Sequence, residues 1–224
     1  MTILAIDTCA NLCAAAIFSD DGALKSRACD DIGRGHAARL LGIIEEALTT
    51  ANQTLDDLQK VIVTIGPGSF TGIRVGVAAA RGYGVALGIP VEGITTFALL
   101  NAEARQLLAK DAKTCVAITG GRGQIFAQRF GRHAEPVGTP HVINQDEETL
   151  FPLDEREYLI GNAATHLARD NQWEAMLVDQ ATGDISNACL ATMSGIFTPE
   201  PLYIRDADAK PQSDFALPRK SVLT

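Results

Sequence analysis

A run of glycine, proline and hydroxyl residues between an apolar strand and a helix constrains the fold of this chain more than any other sequence feature. It reads GPGSFTGIRVG over Gly66–Gly76. The preceding segment, Val61–Ile65, is apolar and β-branched, which is typical of a strand covered on both faces in a mostly parallel sheet. Glycines permit a tight turn there, and Ser69 or Thr71 can cap the first helical N–H groups. The junction predicts a functional site or an interface.

The backbone amides at this junction form a candidate anion site, because the N-terminal end of a helix carries partial positive charge. The block lacks the Gly-Lys-[Ser/Thr] ending of a P-loop, and Ser69 does not lie in a G-x-S-x-G elbow. The alternative is a tight strand-to-helix turn without a ligand. The candidate anion or nucleotide residues are Asp7, Thr8, Gly66, Gly68, Ser69, Thr71 and Gly72.

Composition limits the classes of function. The 224 residues carry a net charge of −8, with no basic surplus in either half, so we expect nucleic acid to be bound only together with a partner. The five cysteines form no C-x-x-C pair, which argues against a disulfide framework or a zinc site and favours a reducing compartment. No apolar stretch reaches membrane-spanning length, so we expect a cytoplasmic protein without membrane contact.

Hydrophobic periodicity predicts the order β-β-β-α-β-α-β-α for the first half. An antiparallel meander comes first, then an amphipathic helix, the buried strand, the helix after the glycine block, a short strand and another helix. This order is typical of the ribonuclease-H-like unit of the actin, Hsp70 and sugar-kinase superfamily. The predicted elements are Thr2–Asp7, Leu12–Ser19, Ala23–Cys29, His36–Thr50, Val61–Ile65, a helix to about Leu87, Pro90–Ile94 and Phe97–Ala109.

The second half begins similarly and then becomes polar. We therefore expect an α/β, actin/Hsp70/sugar-kinase-like two-lobe fold with an abbreviated second lobe. The lobes are predicted over 1–104 and 105–205, the last helix of the second could pack back on the first, and 206–224 is predicted to be a flexible tail. The predicted elements here are strands Thr114–Thr119, Gly123–Phe130, Tyr158–Gly161 and Ala175–Asp179, and helices Ala163–Asp170 and Ile185–Ile196.

Four segments resemble the TsaB (YeaZ) family: Ile3–Thr8, Gly35-His36 with the helix that follows, the Gly66–Gly76 block, and Pro201–Arg205. The resemblance covers most of the chain and implies the two-lobe fold. It also implies a noncatalytic partner of the transferase TsaD, which forms threonylcarbamoyladenosine next to the anticodon of tRNAs reading ANN codons. The TsaD relatives bind metal through H-x-x-x-H on the first long helix. Here His36 stands at the first histidine position and Leu40 at the second, so we expect no metal site and no catalytic residue.

Three points stay open beside this resemblance. One alternative is a small ATP-dependent phosphotransferase or ATPase that uses Asp7 and the 66–72 loop with magnesium. Another is a metal-dependent peptidase, which the missing second histidine disfavours; the spacings of His133, His141 and His166 match no metal pattern. The chain also departs from the family at Thr119–Gln124, where the family's acidic residue is missing, although the glycines there still favour a tight hairpin.

Small residues recur at every fourth position of the helix after the block, from Gly72 to Gly88. Such a row lets another backbone approach closely, either the chain's own sheet or a second helix. With the resemblance, we expect the first-lobe helices to dock on TsaD, or on a second copy when TsaD is absent, and leucine at Gly76 or Ala80 to block both assemblies without unfolding. The predicted interface residues are His36, Arg39, Leu40, Ile73, Arg74, Gly76, Val77, Ala80, Tyr83 and Gly84.

The resemblance further implies contact with the ATPase TsaE and contact with tRNA only through the complex. We expect no cofactor on this chain alone. Whether ATP or ADP binds at the interface of the complex stays open.

Overall fold

A computed structural model of the chain describes residues 2–109, 111–144, 157–167 and 180–204. The predicted strand Ala175–Asp179, the end of the predicted helix Ala163–Asp170 and the predicted tail 206–224 lie outside the described residues. Within the described ranges, no helix combines the length and the apolar character needed to cross a membrane.

The first sheet has five strands in the order β3-β2-β1-β4-β5. The first three strands form the antiparallel meander, and β4 and β5 are added in parallel through helical crossovers. The predicted order of this half is confirmed. Its elements are β1 (Thr2–Asp7), β2 (Leu12–Ser19), β3 (Leu24–Asp31), α1 (His36–Thr50), β4 (Leu58–Thr64), α2 (Phe70–Leu87), β5 (Val91–Ile94) and α3 (Thr96–Arg105).

The second sheet has four strands in the order β8-β7-β6-β9, with an antiparallel meander again extended by one parallel strand. Strand β8 was not predicted, because its two prolines and its glycine are typical of loops, and it lies at the sheet edge, where prolines are tolerated. The elements are β6 (Lys113–Thr119), β7 (Gln124–Phe130), β8 (Pro136–Asn144), β9 (Glu157–Ile160), α4 (Ala164–Leu167) and α5 (Ala188–Ala191), the last flanked by 3₁₀ turns.

Alternating residues of β1 divide the packing of the first sheet into two layers. Leu4 and Ile6 face α1 and α2, while Ile3 and Ala5 face α3 and α5. Helix α3 then reaches the second sheet with Phe97 and other apolar residues, which pack against β6, β7 and β9. The helix α3 therefore lies between the two sheets, and the apolar first lobe positions the glycine block at one end of the cleft between them.

The bounds of two predicted helices are corrected. Helix α3 ends at Arg105 rather than at Ala109, because the chain turns at Gln106 and the Arg105 guanidinium bonds the backbone oxygens of Ala112 and Gly131. The helix predicted over Ile185–Ile196 is a 3₁₀–α–3₁₀ succession that ends at Ser194, before Gly195 adopts a positive φ angle of 126°.

Candidate functional site

The glycine loop packs directly onto the hairpin between β1 and β2. A side chain at Gly68 would collide with the Cys9 carbonyl oxygen, and one at Gly72 would collide with the Thr8 carbonyl oxygen. The Ser69 amide donates to the Cys9 oxygen at 2.6 Å, and the Thr8 hydroxyl donates to the Gly72 oxygen at 2.7 Å. The glycines at 68 and 72 are therefore explained by contact with the chain itself.

Ser69 is the N-cap of α2, as predicted for Ser69 or Thr71. Its hydroxyl accepts from the Gly72 amide at 3.2 Å, and its carbonyl accepts from the Ile73 amide at 2.9 Å. Thr71 is exposed on the first turn. Two amides of the predicted anion site, those of Ser69 and Gly72, are thus bonded within the chain, so the loop offers fewer donors to an anion than its sequence suggested.

Asp7 lies at the end of β1 with only 1 % of its surface exposed. One carboxyl oxygen accepts from the Thr182 hydroxyl at 2.6 Å, and the other accepts from the Cys9 amide at 3.0 Å. Burial raises the pKa of Asp7 above its ordinary value, and these hydrogen bonds oppose part of that rise. This carboxyl is enclosed by the chain's own donors, which differs from the open magnesium or water ligand that the phosphotransferase alternative requires.

Cys9 follows in the same hairpin and is buried as well. Its thiol donates to the Thr64 carbonyl oxygen at 3.3 Å. Burial and the neighbouring charge of Asp7 raise the pKa of Cys9 well above its ordinary value. The thiol therefore stays protonated and lacks the thiolate character of a nucleophile.

A cleft of about 920 Å³ opens between the hairpin, the glycine loop and the β6–β7 turn. Its floor is apolar and glycine-rich, and the segment that carries Leu202, Tyr203 and Ile204 closes one side. The Leu202 amide donates to the Ile65 carbonyl oxygen at 2.8 Å, while Ile204 packs into the cluster of the second sheet. With about 920 Å³, the cleft is more than twice as large as a second groove of about 390 Å³ beside α1.

The structure turns most of the predicted interface residues inward. This correction concerns only their orientation, and a role in a partner interface stays a prediction. Arg39, Arg74, Tyr83 and Gly84 are at least partly accessible, and Arg39 is bonded to Asp30 and Glu46. The buried members of the set, which pack in this chain's own core, are His36, Leu40, Ile73, Gly76, Val77 and Ala80.

The predicted small-residue row faces the chain's own sheet. A side chain at Gly76 would lie 2.5 Å from the Thr8 hydroxyl oxygen and 3.6 Å from Val63, and Ala80 is fully buried. At Gly84 an added side chain would collide with Val91 of β5. This packing contradicts the expectation that leucine at Gly76 or Ala80 leaves folding intact, because leucine would add four carbon atoms at the closed Gly76 and three at the fully buried Ala80.

A second row of small residues lies on the opposite side of α2. Ala78, Gly82 and Ala86 are exposed at the same four-residue spacing, and nothing lies within 4 Å of the position where a Gly82 side chain would start. Val85 beside them is 86 % exposed. A groove of about 390 Å³ is lined by α1 residues, among them the exposed Leu41, by residues 53–55, and by Tyr83 of α2. This outward surface of α1 and α2 is the accessible one.

Comparison with known proteins assigns the chain to a family. Residues 30–149 match the family model described as TsaD, tRNA N6-adenosine threonylcarbamoyltransferase. The chain is 33 % identical over 161 residues to the tRNA threonylcarbamoyladenosine biosynthesis protein TsaB of Escherichia coli K12, covering 67 % of this chain and 68 % of that protein. The chain belongs to the TsaB family.

Two further comparisons agree. The TsaB of Buchnera aphidicola (Schizaphis graminum) is 29 % identical over 175 residues, covering 75 % of this chain and 82 % of that protein. A Pseudomonas aeruginosa structure, described as an uncharacterized protein with similarity to peptidase YEAZ, superposes with a TM-score of 0.78 at 22 % identity, covering 91 % of this chain and 99 % of the other. The two-lobe fold class is confirmed, and the TsaB family has a role in tRNA threonylcarbamoyladenosine biosynthesis.

The histidine that the TsaB resemblance highlighted, His36, opens α1 and is only 6 % exposed. Among the described residues, its Nε2 atom has no hydrogen-bond partner, and Leu40, one turn later, lies in the core. His133, His141 and His166 are exposed. Across the described ranges, no three His, Cys, Asp or Glu side chains are grouped so as to hold a metal ion.

The departure from the TsaB pattern at Thr119–Gln124 forms the tight hairpin that its glycines predicted. A 3₁₀ turn joins β6 to β7, and the Gly120 amide donates to the Gln124 carbonyl oxygen at 2.6 Å. Asn162 braces the turn from the next segment, since its side chain accepts from the Thr119 amide at 2.8 Å and donates to the Thr119 hydroxyl at 2.9 Å. An amide side chain thus fixes this turn without an acidic residue in it.

Two contributors to the site were missed. Thr182 bonds Asp7 from 175 residues away, and Tyr203 contacts α2 from 129 residues away. Thr182 stands in no pattern that links it to the first hairpin. Tyr203 lies in the Pro201–Arg205 segment that carried the family resemblance, and this was the one signal available for it.

Proposed function

We propose that this chain is a noncatalytic partner of TsaD, and that the pair forms threonylcarbamoyladenosine next to the anticodon of tRNAs reading ANN codons. Membership of the TsaB family supports the pathway. The partnership, the lack of catalysis and the codon class are parts of the proposal.

The observation that carries the noncatalytic role is the closure of the Asp7 region. A nucleotide-binding site needs donors and a carboxylate that are open to phosphate and magnesium. Here the Thr182 hydroxyl and the Cys9 amide occupy the Asp7 oxygens, and the Ser69 amide is bonded to the Cys9 oxygen. Opening this region would break several buried hydrogen bonds, each of which is expensive to leave unmade.

The surface that we propose for TsaD is the outward surface of α1 and α2. It combines apolar side chains at Leu41 and Val85 with the exposed small row at Ala78, Gly82 and Ala86. Small residues allow close helix–helix contact, and apolar side chains around them supply the burial that drives association. Without TsaD, two copies can use the same surface around a two-fold axis, which would give a homodimer.

Other members of the proposed assembly follow from the resemblance alone. We include the ATPase TsaE, tRNA bound through the complex, and ATP or ADP at the shared interface. The chain itself is proposed to carry no metal or cofactor. Because tRNA modification supplies the context, we propose that the complex works in the cytoplasm.

The test is reconstitution of tRNA threonylcarbamoylation from purified components, with this chain omitted from one reaction and TsaD omitted from another. We expect product only when both are present, and co-elution of the two proteins on a sizing column. Product formed by this chain without TsaD would contradict the noncatalytic role. Full activity in the reaction without this chain would contradict the partnership.

A binding measurement on the chain alone distinguishes the phosphotransferase alternative from the noncatalytic role. Calorimetric titration with ATP and magnesium should give no heat of binding at micromolar concentrations, because the Asp7 region is closed. Tight ATP binding that disappears in Asp7→Asn would revive that alternative and would require the loop to open.

A further inference from the structure

At the mouth of the large cleft, three exposed side chains form one cluster. The Arg74 guanidinium lies 3.7 Å from the centre of the Phe70 ring, and its Nε donates to the Tyr203 hydroxyl at 2.9 Å. The two rings are 5.5 Å apart and tilted by 37°. We call Phe70, Arg74 and Tyr203 the aromatic–arginine cluster.

The side chains of the cluster contact one another but remain exposed to solvent. Phe70 is 56 % exposed and Tyr203 is 47 % exposed, and both line the large apolar cleft. Arg74 holds the rings together from the first turns of α2, which is a rigid 18-residue helix. Aromatic faces that are fixed at a rim and left open to solvent are suited to stacking against a planar ligand.

The charge of the residues that line the cleft limits the class of ligand that can bind there. Among the described residues that line the cleft, Arg74 is the single charged side chain, although the chain as a whole carries −8. The site therefore favours a group that is planar and anionic. An unpaired nucleotide combines these properties, since its base stacks on aromatic and guanidinium faces while its phosphate accepts from arginine.

The hydrogen bonds within the glycine loop favour a nucleotide of an RNA chain over a free nucleotide as the ligand. A free nucleotide needs a cradle for its phosphates, and the Ser69 and Gly72 amides are already bonded within the chain. A nucleotide within an RNA chain needs only a stacking position, because the remainder of the RNA is held elsewhere. We infer that the aromatic–arginine cluster binds one unpaired nucleotide of the tRNA anticodon loop, at the cleft mouth; this inference rests on the proposed partnership with TsaD.

The experiment uses the complex of this chain with TsaD and a fluorescently labelled anticodon stem-loop RNA. Sizing chromatography first verifies that each variant binds TsaD, and anisotropy then gives the RNA affinity. We expect Tyr203→Leu to weaken RNA binding about 5- to 150-fold, which is the range for loss of one stacked base. We expect Arg74→Gln to reduce the slope of log affinity against log salt by about 0.7, as for one phosphate contact.

Matched controls separate stacking from folding and from general charge. Tyr203→Phe keeps the ring and should bind RNA nearly as the parent does. Phe197→Leu removes another exposed ring, 43 % exposed and paired through its backbone to Gly93. Arg132→Gln removes an exposed cation at the β7–β8 turn. Neither control should change the RNA affinity or the salt slope.

Each outcome decides the inference. An unchanged RNA affinity for Tyr203→Leu, with TsaD binding intact, overturns it and leaves the partnership standing. Loss of TsaD binding in that variant means that the cluster is a protein contact, and this also overturns it. If the parent chain fails to bind TsaD, the proposed function fails, and the RNA site is then tested by ultraviolet crosslinking of the same RNA to the chain alone. Adducts on Phe70 or Tyr203 support the site. Adducts only at other residues, or no adducts, overturn it.

Discussion

The two sides of α2 carry small residues at the same spacing and have opposite surroundings. On the inward side, Gly72 and Gly76 lie against the β1–β2 hairpin and the sheet with no room for a side chain. On the outward side, Ala78, Gly82 and Ala86 are exposed, and the space above Gly82 is open. A row of small residues on a helix therefore indicates close contact without indicating which neighbour makes it. The burial of each row identifies its neighbour, and this burial is known only from the folded structure.

The largest effect should come from filling the inward side. Gly76→Leu would place four carbon atoms against the Thr8 hydroxyl and Val63, so we expect the free energy of unfolding to fall by about 3 kcal/mol or more. Urea denaturation monitored by circular dichroism measures it. A variant as stable as the parent would mean that α2 can lift from the sheet, and the distinction between the two sides would fail.

A charge on the outward side should affect binding and leave folding unchanged. Val85→Glu introduces a carboxylate at a position that is 86 % exposed, so the free energy of unfolding should stay within about 0.5 kcal/mol of the parent. An unpaired charge buried in the TsaD interface should weaken binding about 100-fold or more. Calorimetric titration with TsaD measures this, with Arg132→Gln as a distant surface control. Undiminished binding would exclude the outward surface of α1 and α2 as the interface.

The buried hairpin under α2 should also respond to pH. Because burial raises the pKa of Asp7 in the folded chain, the folded state binds more protons than the unfolded state at pH values between the ordinary pKa of aspartate and the raised pKa of Asp7. The contribution of Asp7 to stability therefore falls as the pH rises through its folded pKa.

In Asp7→Asn, this part of the pH dependence should disappear. Urea denaturation between pH 4 and 8 measures the slope of the unfolding free energy, and Asp56→Asn on an exposed 3₁₀ turn serves as the control. Equal slopes for the parent and Asp7→Asn would show that the carboxyl is hydrated in solution, and the hairpin would then be more open than the structure has it.

The smallest effect should come from the open glycine of the outward row. Gly82→Ala adds a methyl group where nothing lies within 4 Å, in the interior of an 18-residue helix. Alanine restricts the unfolded chain and favours the helix, so the free energy of unfolding should rise by about 0.5–1 kcal/mol. Thermal unfolding provides the measurement. A decrease would place an unseen neighbour at Gly82 in the isolated chain, for example the second copy of a homodimer.

Much of the first sheet was predictable, because its strands and helices carry clear apolar periods and the Ser69 cap lies next to the helix that it begins. Strand β8 was not predictable in this way, since two prolines and a glycine interrupt it and its valines, Val137 and Val142, are exposed. Edge strands of this kind depend on pairing with a neighbour rather than on an apolar pattern. The enclosure of Asp7 by Thr182 was equally hidden, because the two residues are far apart in sequence.

Local residue patterns were enough to predict the family, the order of the elements around the glycine block, and the position of the tight junction between β4 and α2. These features depend on local residue types and on short-range spacing. The tertiary structure decided which row of small residues on α2 is buried, whether the glycine loop stays open to an anion, and that Tyr203 returns to Arg74 at the cleft. Each of these depends on contacts between segments that are distant along the chain, and the free energy of such contacts is set by packing rather than by any local pattern.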